Sequence, residues 1–311
     1  MADEEQGTAL IDAAIAQYNG EREGVAKLVG WRVPVFVGGF LAGVIAIAYV
    51  LGTSMDDFMS TPSLILYVAA GFAIFWIYGL AMQPATDLQA GLRDKALPIV
   101  FGFVEDLRLS RGFAPAGMGE LPKETVGTFN REAYDDVISG KHDGLWFELA
   151  EATLSQKAGK STQTLFKGVI FIFPLEKAYP GTLIAIRRSN VMMKWLTETF
   201  SSSPLRHVEG ADRALEEDYD FRTDNDQAAR SLIAGSMGKV LHFLMDNWSR
   251  DNPPRLALRG SQGFLLLPQE RNYFELPGIN TPLSRQGHIE PMAHELKLLL
   301  ASAQLASKVG T

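Results

Sequence analysis

The chain has 311 residues, a formal net charge of -7 and no cysteine. That length holds one large domain or two modest ones, and the missing thiols exclude disulfides, thiolate metal sites and cysteine nucleophiles. The charge is unevenly spread: residues 1–32 carry six acids and three bases, whereas the chain after residue 83 carries 28 acids and 26 bases. A near-neutral C-terminal part offers no basic face to a polyanion, so nucleic acid is not an expected partner.

The N-terminus is acidic and carries no cleavable signal pattern. Within residues 8–18 (TALIDAAIAQY), Leu10, Ile11, Ala14, Ile15 and Tyr18 recur at helical spacing, and Asn19-Gly20 reads as a stop. This predicts a short amphipathic segment over residues 1–30. Its acidic polar side has the wrong sign for anionic headgroups, which favours packing against protein over lying on a bilayer.

Two uncharged apolar runs follow, Val33–Thr53 and Ser63–Met82, each of about twenty residues. At a rise of about 1.5 Å per residue, each matches a hydrocarbon core of about 30 Å. Residues 31–83 are therefore predicted to be a transmembrane hairpin with the lipid bilayer as partner. Arg22, Lys27 and Arg32 precede the first run, Arg93 and Lys95 follow the second, and Ser54–Pro62 between them has no base. The positive-inside rule then places both termini in the cytoplasm and the loop between the runs outside. Gly39 with Gly43, and Ala69 with Ala73, are small-xxx-small pairs that permit close helix approach, either within the hairpin or between copies. Neither run holds an ionisable residue, so a transporter or proton relay is not expected.

From Thr86 to Leu109 the pattern is again helical, with Pro98 expected to kink or divide it, giving a helical neck over residues 84–111. Gly112–Pro122 reads as a loop and the best internal boundary. Residues 112–311 then form a cytoplasmic domain. Strand-like runs occur at Phe129–Tyr134, Leu145–Leu154, Leu165–Phe173, Thr182–Ile186, Arg255–Leu258, Phe264–Leu267 and Tyr273–Leu276. Turns are expected at Ser139–Lys141, Lys160–Ser161, Tyr179–Gly181 and Gly260–Gly263. A helix opening with a Thr223/Asp226 capping box runs to about Leu244, and another spans about Glu290–Ser307. The order of elements gives an α+β class with antiparallel strands.

Catalytic motifs are mostly broken. Gly159-Lys160-Ser161 lacks the earlier glycine of a phosphate loop, and His294-Glu295 lacks the second histidine of a zincin. Glu290 and His294 share a helix face at metal-ligand spacing, a pattern more common as a solvated pair. No cofactor or metal is expected. Two groups remain as candidate interaction residues: Tyr134, Asp135 and Lys167, which an enzyme would also use, and Arg187-Arg188, which beside a bilayer would meet lipid phosphate.

The two spans, the stretches Phe129–Lys141 and Phe166–Phe171, the stretch Tyr219–Asp224 running into Ala228–Arg230, and Tyr273–Leu276 resemble the bacterial membrane family catalogued as domain of unknown function 3137. The resemblance spans about residues 20–306. It implies a membrane location and a cytoplasmic domain, and supplies no catalytic residue. The sequence thus points away from an enzyme and towards a membrane-anchored binding or scaffold module with a protein partner or a second copy. A lipid or small-ligand sensor is the alternative, and an enzyme acting at the membrane face the third reading.

Overall fold

The computed structural model describes residues 2–50, 61–188, 203–209, 213–248, 252–269, 274 and 277–308. Most of the base-free loop Ser54–Pro62, and the strand expected at Tyr273–Leu276 apart from Phe274, lie outside those residues. The chain divides into two compact units, Met1–Phe101 with Leu276–Pro291, and Gly102–Glu275 with Met292–Thr311.

The first unit is built on two helices, α1 (Ala2–Val50) and α2 (Thr61–Val100). The expected stop at Asn19-Gly20 does not occur. A 49-residue helix is about 70 Å long, more than twice a hydrocarbon core, so the amphipathic segment and the apolar run are one continuous rod. Neither Pro34 in α1 nor Pro98 in α2 divides its helix. The two pack antiparallel, with Val29 and Ala85 buried together and Val25, Val33, Met82 and Leu88 around them.

The segment after residue 276 completes this unit. Ile279 joins the Val29–Ala85 cluster. Asn19 donates to the Leu283 carbonyl at 2.8 Å and accepts the Leu283 N–H at 2.9 Å. Arg22 donates to the Ile279 carbonyl at 2.9 Å, and Gln89 to that of Pro277 at 3.0 Å. Side chains of both helices thus satisfy an irregular backbone that has no ladder of its own. Asn19 stands here as a clamp, which explains why it does not end the helix.

Further along, the same helices turn apolar side chains outward. Ile45 and Tyr49 on α1, and Phe72, Phe75 and Trp76 on α2, are all more than two-thirds exposed. Both helices are long and apolar enough to cross a membrane by length and composition. The half-buried residues Phe36, Val37, Phe40 and Val44 mark the face of α1 that meets α2, while Gly39 and Gly43 are exposed with open space where a side chain would stand. The glycine pair therefore takes no part in packing within the hairpin. On α2, Ala73 lies on the half-buried stripe and Ala69 is exposed.

The second unit is a sheet of seven strands: β1 (Glu105–Arg111), β2 (Arg131–His142), β3 (Leu145–Ala158), β4 (Ser161–Arg187), β5 (Arg206–Val208), β6 (Tyr219–Thr223) and β7 (Arg255–Pro268). All pairings among the described residues are antiparallel, in the order β1-β2-β3-β4-β6-β5 with β7 on β4. Residues 105–111, expected to continue the helical neck, are a strand instead. Their apolar positions are too sparse for a buried helical stripe, and every residue except Leu107 is exposed.

One strand organises the sheet. The 27-residue β4 joins what the sequence shows as two runs. Along one edge it pairs first with β3 and then with β6, and along the other it pairs with β7 for most of its length. The expected turn at Tyr179–Gly181 is a register shift inside this strand, where a bulge lets a long ribbon bend without ending. The expected turn at Ser139–Lys141 likewise lies inside β2. The reversal comes at Asp143-Gly144, where both residues take left-handed φ angles of 47° and 84°, the geometry of a tight hairpin. The turn at Lys160-Ser161 stands as expected, preceded by Gly159.

Alternation along β4 buries both faces. Ile170, Ile172, Ile184 and Ile186 join Leu154, Phe166, Phe264 and Leu266 in one core, capped by Met118, Leu121 and Val126. Gly112–Pro122 is thus a cover over the sheet rather than a linker. On the other side Phe171 stacks on Phe147 at 5.2 Å between ring centroids. Four further helices are described: α3 (Arg213–Asp218), α4 (Asp226–Ala234), α5 (Ser236–Asn247) and α6 (Glu290–Ser307). The expected single helix from Thr223 breaks at Gly235 into α4 and α5. Its N-cap is Asn225, which accepts the Ala228 N–H at 3.2 Å, while Thr223 Oγ1 donates to the Thr182 carbonyl instead. The last helix has the expected bounds.

Candidate functional site

Across β2 and β3 the register runs evenly to Tyr134–Ala152 and resumes at Val137–Ala150, so Asp135 and Asp136 stand opposite Glu151 alone. Two residues against one is a β-bulge, a device that re-aims side chains. Asp136 turns into the protein, where Arg111 Nε donates to its carboxylate at 2.9 Å, and Asp135 stays exposed. On the far side of β3, Gly168 takes a φ of 148° while pairing with both Ala152 and Pro268. A Cβ there would run into the Leu267 carbonyl oxygen. β7 therefore lies closer to β4 at this point than any other residue would allow.

These two irregularities frame a cleft of about 190 Å³, lined by Tyr134, Asp135, Glu151, Thr153, Lys167 and Gln269 among others. Tyr134, Asp135 and Lys167, singled out from sequence on different strands, come together here. Arg187 and Arg188 do not: they end β4 beside β6, where the Arg188 N–H donates to the Asp218 carbonyl at 2.8 Å. Glu151, Thr153 and Gln269 were missed. Glu151 sits in an alternating strand pattern where an inward glutamate has no sequence signature.

The electrostatics is mixed in sign. Glu151 is buried, and one of its oxygens accepts the Phe274 N–H at 3.0 Å. Lys167 is half-buried, and its backbone carbonyl takes the Gln269 N–H at 2.9 Å. The Tyr134 hydroxyl donates to Glu132 at 2.9 Å. Burial first, then that carboxylate, pushes the Tyr134 pKa upward, so the hydroxyl keeps its proton and serves as a donor rather than a base. Asp136 beneath is also raised, because burial outweighs the Arg111 guanidinium.

A cleft of about 190 Å³ falls below the roughly 300–1,000 Å³ typical of small-molecule sites. It suits a polar group of side-chain size bearing hydrogen-bonding atoms of both kinds. No metal-holding cluster of His, Asp and Glu is found among the described residues. A separate polar cluster lies on the β5–β6 ribbon, where Asp220 accepts from Arg222 Nε at 2.7 Å and holds His207 Nδ1 at 2.7 Å. Its members pair with one another along and across two strands.

These features define an α+β protein whose bulged antiparallel sheet carries a small, mixed-charge cleft. Residues 164–304 match the family described as "Protein of unknown function (DUF3137)". The match takes in β4, β7, Lys167 and most of α6, and leaves out Tyr134, Asp135 and both long helices. No curated protein matches the chain. A crystal structure of the mycobacterial trehalose monomycolate transport factor A is similar at 8% identity, over 63% of this chain and 88% of that one, with a TM-score of 0.32. That score is too low to establish a common fold.

Proposed function

We propose that the chain is a membrane-anchored binding module whose sheet presents the Tyr134–Lys167 cleft to a protein partner. The observation that carries the anchoring is the outward face of the helix pair. The most apolar window of α1 has none of its residues buried, and that of α2 has 11%, whereas a core helix of a soluble protein is mostly buried. Each large apolar side chain left in water forgoes about 1.5–3 kcal/mol, so Ile45, Phe72, Phe75 and Trp76 call for lipid. The basic flanks and the base-free loop favour the inner membrane with both termini cytoplasmic.

Binding, rather than catalysis, is favoured by the state of the cleft. Tyr134 is held protonated and donates to Glu132, and Glu151 already accepts a backbone N–H. The cleft's size fits a partner's polar side chain. Affinity capture from native membranes in mild detergent tests this, comparing wild type with Lys167→Glu and Asp135→Lys. A partner recovered with wild type and lost with either reversal is expected. Recovery that neither substitution changes would overturn the assignment to this cleft.

A further inference from the structure

A second cleft lies on the same sheet and has a different chemistry. Its volume is about 550 Å³, within the range of small-molecule sites. Trp146, Ile172, Pro174 and Leu175 give it an apolar wall and floor. Trp146 is 48% exposed, and outside α1 and α2 the large apolar side chains exposed among the described residues are Leu109, Phe113, Trp146 and Leu305. A half-exposed tryptophan on the wall of a concave apolar surface is a stacking or packing platform.

The polar groups of this cleft are unequally satisfied. The Glu148 carboxylate accepts the Gly117 N–H at 2.8 Å and the Ala116 N–H at 3.3 Å, so it holds down the turn above it. Arg108, on β1 opposite Ser139, makes no ion pair among the described residues. The buried Gln262 amide oxygen has no hydrogen-bond partner there either. The cleft therefore offers a cation without an ion pair at its edge and an aromatic wall, while its one carboxylate, Glu148, is tied to backbone N–H groups. Its complement carries an apolar body and a single negative charge.

We propose that this cleft binds an anionic amphiphile, its carboxylate or phosphate on Arg108 and one hydrocarbon chain against Trp146. The charge fixes the orientation and the hydrocarbon supplies the apolar contact. The shared chemistry has two sources, a free fatty acid and an anionic membrane lipid. The proposal is independent of the Tyr134–Lys167 cleft.

The test uses the full chain in phosphatidylcholine nanodiscs, with 12-bromododecanoate as a quenching probe. Quenching present in wild type and missing in Trp146→Phe isolates contact with Trp146 from that of the other tryptophans. Saturable Trp146 quenching, displaced by dodecanoate and weakened about tenfold or more by Arg108→Gln, is expected from the loss of one charge-assisted contact. The neutral 12-bromododecanol should show no saturable component, and Arg108→Lys should retain most of the affinity. Saturation unchanged in Arg108→Gln, equal saturation by the alcohol, or no Trp146-dependent quenching would each overturn the proposal. With binding present, competition by nanodiscs containing phosphatidylglycerol assigns the site to membrane lipid, and its absence assigns it to free acids.

Discussion

Asp136 shows how a single buried group sets a pH dependence. Burial raises its pKa above the usual 3.8 in spite of Arg111, so the folded state binds that proton more tightly than the unfolded chain does. The stabilising contribution is present at low pH and is lost as pH rises through the raised value. Removing the charge with Asp136→Asn should therefore leave stability at pH 7 equal or higher, since the partner Arg111 is half-exposed and forgoes little. Chemical denaturation from pH 4 to 7 should show wild type losing ground to the variant as pH increases. A variant that grows relatively weaker with rising pH would show instead that the ion pair outweighs burial. This residue was visible in the sequence only as half of an Asp135-Asp136 doublet. The bulge that sends one inward and the other outward is a property of strand pairing, which no local pattern encodes.

At the scale of elements, β4 carries most of the second unit, and its tightest point is Gly168. With φ at 148° and the Leu267 carbonyl where a Cβ would stand, Gly168→Ala should cost about 2 kcal/mol or more. In a unit of this size that lowers the melting temperature by about 4 °C or more. Gly119→Ala, where open space surrounds the added methyl and φ is ordinary, should stay within about 0.5 kcal/mol of wild type. Equal effects at the two sites would mean that β7 does not approach β4 as described. The elements themselves were largely legible. Strand-like runs marked the first part of β2, β3 and both halves of β4 and β7, and the helical repeat marked α6, whereas β1, β5 and β6 carried no such mark. What local rules misplaced were the joins. Pro180-Gly181 and Gly260–Gly263 carry turn residues, yet they lie inside long strands because two neighbouring bulged strands hold each other through the break.

For the molecule as a whole, the account joins a helix pair with an outward apolar face to a sheet that offers two unlike clefts. The pair itself was evident from two charge-free runs. Its continuation as one rod from Ala2 was not, because Asn19-Gly20 carries stop residues while Asn19 in fact reaches a segment 264 positions later. Long-range side-chain clamps of that kind leave no periodic trace. The cleft was partly legible: Tyr134, Asp135 and Lys167 stood out as polar residues in strand patterns, while Glu151 and Gln269 needed the register to be found.

The central claim is that the helix pair lies in a bilayer and the sheet on its cytoplasmic side. Since the chain has no native cysteine, single substitutions report position without background. Intact cells treated with a membrane-impermeant maleimide should label Ser54→Cys at once and Lys160→Cys only after permeabilisation. Ile45→Cys should resist labelling in both conditions, since α1 would hold it in hydrocarbon. Rapid labelling of Ile45→Cys in permeabilised cells, at the rate of Lys160→Cys, would contradict the account by placing that exposed apolar face in water.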